Sequence, residues 1–146
     1  MILFWDLDGT LTDAEPFVHL IHTKPKNWAA WDQNIINHEP HTDIVSLYML
    51  HGCLGHHNYV VTARSEAVRE GTTGWLKKHG LWEFCKELVM RPAKDYRPDH
   101  EVKLDILNMM RSNNINPDIV FEDRSRVVQM YRENGVRCLQ VANGDY

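Results

Sequence analysis

A chain of 146 residues, 43% hydrophobic and 25% charged, is long enough to bury one core and short for two, so 1–146 is expected to be a single domain. A formal net charge of -4 argues against tight non-specific binding along a nucleic-acid backbone and leaves room only for a local basic patch. No apolar run is long enough to cross a bilayer, MILFWDLDGT lacks the order of a secretion signal, and Cys53, Cys85 and Cys138 are odd in number and widely spaced; a soluble cytoplasmic protein without disulfide framework or zinc knuckle is expected, with no membrane contact and no obligate protein partner.

In chain order, ILFW before Asp6 reads as a first buried strand. Residues from about 14 to 42, rich in His, Trp, Asn and Pro, break the rhythm that follows, and NWAAWDQNIINH is their clearest helical piece; they are read as an insertion. The stretch from Gly52 to Asn58 reads as a loop. YVV before Thr62 is the next strand, and Val68, Thr72, Trp75, Leu76 and His79 follow at helical spacing. LVM before Arg91 is a third strand, followed by Val102, Ile106, Met109 and Met110 on a helix and a loop from Ser112 to Pro117. IVF before Glu122 and CLQV before Ala142 are the last two strands. Alternating strands and helices predict an α/β fold, a central parallel sheet flanked by helices on both faces. Ligands of such sheets bind beyond the carboxyl ends of the strands, where Asp6, Thr62, Arg91 and Asp123 would converge.

The chemistry centres on Asp6-Leu7-Asp8-Gly9-Thr10. Carboxylates at i and i+2 on an extended backbone face the same way and crowd one volume, which calls for a cation or a shared proton. Gly9 permits a tight turn whose N–H groups can face an anion. The bland alternative, an Asp-Gly turn with solvated acids, fits poorly behind a buried apolar run. Glu122-Asp123 supplies further acids, which could equally cap the helix that follows. Lys103 could be a solvated helix lysine and Thr62 an ordinary β-branched strand end. Trp28 and Trp31 could stack on a base, but packing of the insertion is the preferred reading. The nine histidines, His19, His22, His56 and His57 among them, have no acidic or Cys partner at ligand spacing and are read as surface residues.

DLDGTLT resembles the DxDGTLx signature of haloacid dehalogenase (HAD) superfamily phosphatases, and the order Asp-x-Asp, Thr, Lys, acid pair matches the family's four motifs. The resemblance implies a Rossmann-like fold with the insertion as a small helical cap. It implies that Asp6 is a nucleophile forming an aspartyl-phosphate, that Asp8 is the general acid and base, and that Thr62 and Lys103 bind the transferring phosphoryl group. Mg2+ would be held by Asp6, the Asp8 carbonyl and Asp123, with Glu122 orienting Lys103 or an outer water. The stretches VVTARSEAVREGTTGWLKKHG, DHEVKLDIL and FEDRSRVVQMYRENGVRCLQVANGDY further resemble the 3′-phosphatase domain of bacteriophage-type polynucleotide kinase-phosphatase. That likeness assigns Arg64 as a phosphate clamp and Asp99 as a supporting acid; Gly9 and Thr10 would line the phosphate, and Arg91 and Arg97 would hold a substrate strand. A basic residue that the phage domain carries near Phe17 is missing, and no kinase P-loop is present. The substrates implied are nucleic-acid ends bearing 3′-phosphates, with a mononucleotide 5′-phosphatase and an inactive binding module as alternatives.

Overall fold

The computed structural model describes residues 1–145. Strand β1, Ile2–Trp5, is apolar at every position because it lies between two neighbours and beneath helices on both faces. The sheet order is β5-β4-β1-β6-β7, with β4 His57–Ser65, β5 Cys85–Arg91, β6 Ile119–Glu122 and β7 Cys138–Gln140, and every pairing is parallel. All the predicted strands are present, and strand order reverses at β1, the position that opens a crevice at the sheet's carboxyl edge.

Side-chain alternation divides the core in two. Phe4, Tyr59, Val61 and Val120 meet Val102, Ile106, Leu107 and Met110 of α5, Asp99–Ser112, and Val127, Val128 and Tyr131 of α6, Ser125–Glu133. On the other face Leu3, Trp5, Val60, Leu88 and Phe121 meet Val45 and Tyr48 of α3, Thr42–Cys53, and Trp75 and Leu76 of α4, Arg69–Lys78. Two buried polar side chains inside this face are paired: Trp5 Nε1 donates to Asn58 Oδ1 at 2.9 Å and Asn58 Nδ2 to the Tyr48 carbonyl at 3.0 Å. No helix among the described residues is long and apolar enough to cross a membrane.

Two local readings are corrected. The segment before β4 is mostly the helix α3, and the expected Gly52 to Asn58 loop shrinks to residues 54–56. Gly52 belongs to that helix for packing, since a Cβ there would fall 2.5 Å from the Phe84 ring. The insertion leaves and returns through a small antiparallel stem, β2 Thr12–Asp13 against β3 Glu39–Pro40. Between its strands lie α1 His19–His22 and α2 Trp28–Gln33, with 3-10 turns at Glu15–Phe17 and Ile35–Asn37, so NWAAWDQNIINH is helical in two short pieces. Ala14, Ile21 and Trp31 form its own small core with Phe17 against it. Trp31 packs as expected while Trp28 is exposed and meets it edge-on.

Candidate active site

Backbone pairing of β1 with β6 runs on to Asp6, whose N–H donates to the Phe121 carbonyl at 3.0 Å. The chain then turns sharply: Thr10 N and Thr12 N both donate to the Leu7 carbonyl, Gly9 N donates to Thr12 O at 2.9 Å, and Gly9 sits at φ 87, where a side chain would be strained. Three N–H groups of the turn, those of Gly9, Thr10 and Thr12, are thus occupied in closing it. Thr10 Oγ1, fully buried, has no hydrogen-bond partner among the described residues.

The turn sends its two acids to different cations. Asp6 Oδ1 accepts from Lys103 Nζ at 2.5 Å, and the same ammonium donates to Glu122 Oε2 at 2.6 Å. Lys103 stands in the first turns of α5 on the face that packs on the sheet, which is why a lysine is 2% exposed there. Burial lowers its pKa, but Asp6 and Glu122 outweigh that and raise it well above the ordinary lysine value. Glu122 Oε1 accepts from the N–H groups of Asp123 and Arg124, so both its oxygens are engaged.

Asp123 is different. It is 0% exposed and neither carboxylate oxygen has a hydrogen-bond partner among the described residues. The helix-cap alternative does not apply to it, because α6 is capped by Asp145, which accepts from Ser125 N at 3.2 Å and from Ser125 Oγ at 2.7 Å. Gly144 closes over Asp123, where any Cβ would collide with the carboxylate. Asp6, Glu122 and Asp123 each present an oxygen within 4.8 Å of the others. Three carboxylates against one ammonium leave two negative charges in a dry volume, and the donors are all oxygen; this set fits a hard divalent cation. Burial first, then the neighbouring acids, push the Asp6 and Asp123 carboxyls above their usual range.

Asp8 turns toward the cap. Arg64 grips it with both forks, Nε to Oδ2 at 2.8 Å and Nη2 to Oδ1 at 2.5 Å. His38, at the return from the cap, lies 3.3 Å through Nδ1 from Arg64 Nη2 and 3.5 Å from Asp8 Oδ1. Burial raises the Asp8 pKa, but Arg64 and His38 overcome it and hold the carboxyl far below its ordinary value. His38 is 1% exposed, which corrects the surface reading for this histidine: Phe17 stacks on its ring at 4.5 Å, Trp31 meets it edge-on at 5.3 Å, and Trp75 Nε1 donates to its carbonyl at 2.7 Å. Nothing in its local sequence signals this, because the ring meets residues distant in sequence, Phe17, Arg64 and Asp8 among them.

Thr62 is the last β4 residue before a shift in its register with β5, is 1% exposed, and accepts the Arg64 N–H through Oγ1 at 3.1 Å. Asp99 opens α5 and binds Arg124 Nη1 at 2.5 Å, tying the lysine helix to the acid-pair loop. Arg91 and Arg97 stand apart from this cluster. Arg91 donates to the carbonyls of Ala63, Asp95 and Arg97, and Arg97 is paired with Asp95 and Asp105, so both tie the loop that joins β5 to α5 to its neighbours, β4 and α5.

The family model for the polynucleotide kinase PNKP phosphatase domain matches residues 1–146. The chain belongs to that family. It is a HAD-type phosphatase, a hydrolase of phosphomonoesters; such enzymes generally use a divalent metal, and Asp6, Glu122 and Asp123 form a buried acidic cluster. Among solved structures, PNKP-phosphatase similarity extends to a chain of the Pnkp1/Rnl/Hen1 RNA repair complex, 27% identical with a TM-score of 0.78 over 99% of this chain. This chain spans 43% of that one. The class C acid phosphatase from Bacillus anthracis with tungstate bound, 15% identical, matches with a TM-score of 0.72 over 99% of this chain and 67% of its own. A haloacid dehalogenase-like family hydrolase from Streptococcus pneumoniae, also 15% identical, gives 0.67 over 95% of this chain and 83% of its own. The last two establish the shared Rossmann-like fold.

Proposed function

We propose that this chain, as one catalytic unit of residues 1–146, removes 3′-phosphates from nucleic-acid ends with Mg2+ as its metal. The observation that carries the metal reading is the buried, unpartnered Asp123 carboxylate beside Asp6. Asp6, Asp123 and the Asp8 carbonyl would hold the ion, with Glu122 keeping Lys103 aimed at Asp6. The bound cation supplies the neutralisation that lets a carboxylate approach an anionic phosphate.

Asp6 attacks phosphorus, the bond to the leaving oxygen breaks, and an aspartyl-phosphate forms on Asp6. Lys103 and Thr62 are the donors for the phosphoryl oxygens, with Thr10 Oγ1 and the Gly9 turn lining the same volume. The leaving oxygen takes a proton from Asp8, which then accepts one from the water that hydrolyses the aspartyl-phosphate, releasing inorganic phosphate and restoring Asp6. Asp8 in its present pairing is an ionised acceptor. When Arg64 turns from Asp8 to the substrate phosphate, Asp8 loses a cation as an anion arrives. Both changes raise its proton affinity, so substrate binding itself prepares the acid. Asp99 holds the α5 terminus through Arg124.

The substrate class is supported by the family match and by the RNA repair complex to which the chain is similar. A two-stranded stem with short helices is a small cap, which suits a bulky polymer end. Arg91 would shape the rim through backbone carbonyls, leaving Arg97 and Lys94 as the rim cations nearest a strand. The test is turnover of oligonucleotide 3′-phosphates, oligonucleotide 5′-phosphates and nucleoside monophosphates with Mg2+ and with chelator. Preference for the 3′-phosphate and silence in chelator are expected. Preference for mononucleotides would replace the reading with a nucleotidase, and full activity in chelator would remove the metal.

A further inference from the structure

His38 is buried by the cap yet touches the catalytic Asp-x-Asp turn, and packing alone calls for no nitrogen there. Resting on the assignment of Asp8 as general acid, we infer that His38 is the cap's positioning residue for Asp8: its imidazole, clamped by Phe17 and Trp31, donates from Nδ1 to the Asp8 carboxylate and holds it in the orientation from which it protonates the leaving oxygen.

Nδ1 has two neighbours, Arg64 Nη2 at 3.3 Å and Asp8 Oδ1 at 3.5 Å, whereas Nε2 is buried without a partner among the described residues. A neutral ring carries one N–H. Placing it on Nε2 would leave a buried donor unsatisfied, the costlier of the two arrangements. Placing it on Nδ1 gives it a carboxylate and gives up only the longer contact from Arg64 Nη2, which can donate but not accept and keeps its bond to Asp8 Oδ1. The 3.5 Å separation is that of a resting site, and such bonds shorten when substrate arrives. Once Arg64 turns to a phosphate, the His38 bond remains to fix Asp8. The ring cannot follow Arg64, because Phe17 covers one face and its own carbonyl is pinned by Trp75. The cap's small core thereby has a chemical purpose, delivering one N–H to the acid through a chain of rings.

Two aryl phosphates of nearly equal shape separate positioning from folding. Nitrophenolate departs without a proton; phenolate needs one. His38→Gln keeps polarity and much of the volume but carries its donor past the Nδ1 position, while His38→Asn places an amide donor there. For His38→Gln, and for His38→Leu where it folds by thermal melting, the single-turnover rate of leaving-group release, which reads the first displacement before the shared aspartyl-phosphate is hydrolysed, should fall roughly ten- to a hundredfold on phenyl phosphate, the cost of a misplaced group. On p-nitrophenyl phosphate that rate should fall less than about threefold, and His38→Asn should recover most of the loss. Asp8→Asn is the reference and should show the same dependence on leaving group more strongly. If Asp8→Asn slows release from both substrates equally, the general-acid assignment fails. If Asp8→Asn discriminates and His38→Gln does not, either by matching wild type or by losing both substrates alike, the positioning role of His38 is overturned.

Discussion

Asp123→Asn separates a cation site from a merely acidic core, and its two effects have opposite sign. The carboxylate is fully buried, its oxygens lack donors among the described residues, and Asp6 and Glu122 are close enough to repel it. A buried group left without a partner costs about 1–3 kcal/mol, more when charged. The amide removes the charge at equal volume and can donate to a neighbouring carboxylate. In chelator the variant should therefore be more stable than wild type by about 2 kcal/mol, a rise in melting temperature of roughly 4–8 °C for a domain of this size. With Mg2+ the wild type should gain stability and the variant far less, while turnover is lost. The pH dependence follows from the raised carboxyls. Because the folded pKa lies above the unfolded one, the metal-free folded state holds protons that the unfolded state releases. Stability should fall as pH rises from the ordinary carboxylate range through the raised value, and Asp123→Asn should flatten that slope. Thermal melting of both proteins in chelator and in Mg2+, from pH 5 to about 9, reads all of this. A variant less stable than wild type in chelator, or one with an undiminished response to Mg2+, refutes the cation-site reasoning.

Asp6→Asn should keep the fold and lose turnover by several orders of magnitude on every substrate, measured by phosphate release. Lys103→Met should destabilise the metal-free protein by about 3–5 kcal/mol in denaturant unfolding, because it strands two buried carboxylates on one missing partner. Gly144→Ala should raise the Mg2+ concentration needed for half-maximal rate by roughly tenfold, the scale seen when a group supporting a ligand is lost, since the new Cβ would press on the Asp123 carboxylate. Arg64→Ala should depress oligonucleotide and aryl phosphates alike, whereas Lys94→Ala with Arg97→Ala should affect only the oligonucleotide and should flatten its salt dependence.

The parallel sheet was legible because its strands are buried on both faces and read as unbroken apolar runs, from Ile2–Trp5 to Ile119–Glu122. The Asp-x-Asp turn was legible for the same reason, an acid directly after such a run being placed at the carboxyl edge. Helix α3 was not, because its apolar residues go nearly all round: Val45 and Tyr48 face the core while Leu47 and Leu50 are exposed, so no clear stripe marks it. The purpose of Arg91 was hidden by a different cause. A strand-end arginine looks available for substrate, yet it supplies donors to two loop carbonyls and to the Ala63 carbonyl of β4, which no sequence pattern marks as unsatisfied. His38 was the deepest omission, because its meaning depends on Phe17, Trp31, Trp75 and Arg64 meeting at one point, a fact of tertiary packing.

The two acids of the turn are two residues apart, and their surroundings differ in charge balance. Around Asp6 there is a surplus of negative charge that one lysine does not cancel, and around Asp8 a full counter-ion with an imidazole beside it. An arriving phosphate is attracted to the cation side of the second acid, through Arg64, and repelled by the first until a metal ion is bound. Metal-free protein should therefore bind phosphate weakly at Arg64 and displace it from Asp8, whereas transfer to Asp6 requires the ion. Titrating vanadate or inorganic phosphate into chelated wild type, Asp123→Asn and Arg64→Ala tests that order of events. Weak binding should persist in Asp123→Asn, where a negative charge has been removed, and vanish in Arg64→Ala. Equal binding by the Arg64→Ala protein would show that the guanidinium belongs to Asp8 alone and that the acid is prepared in some other way.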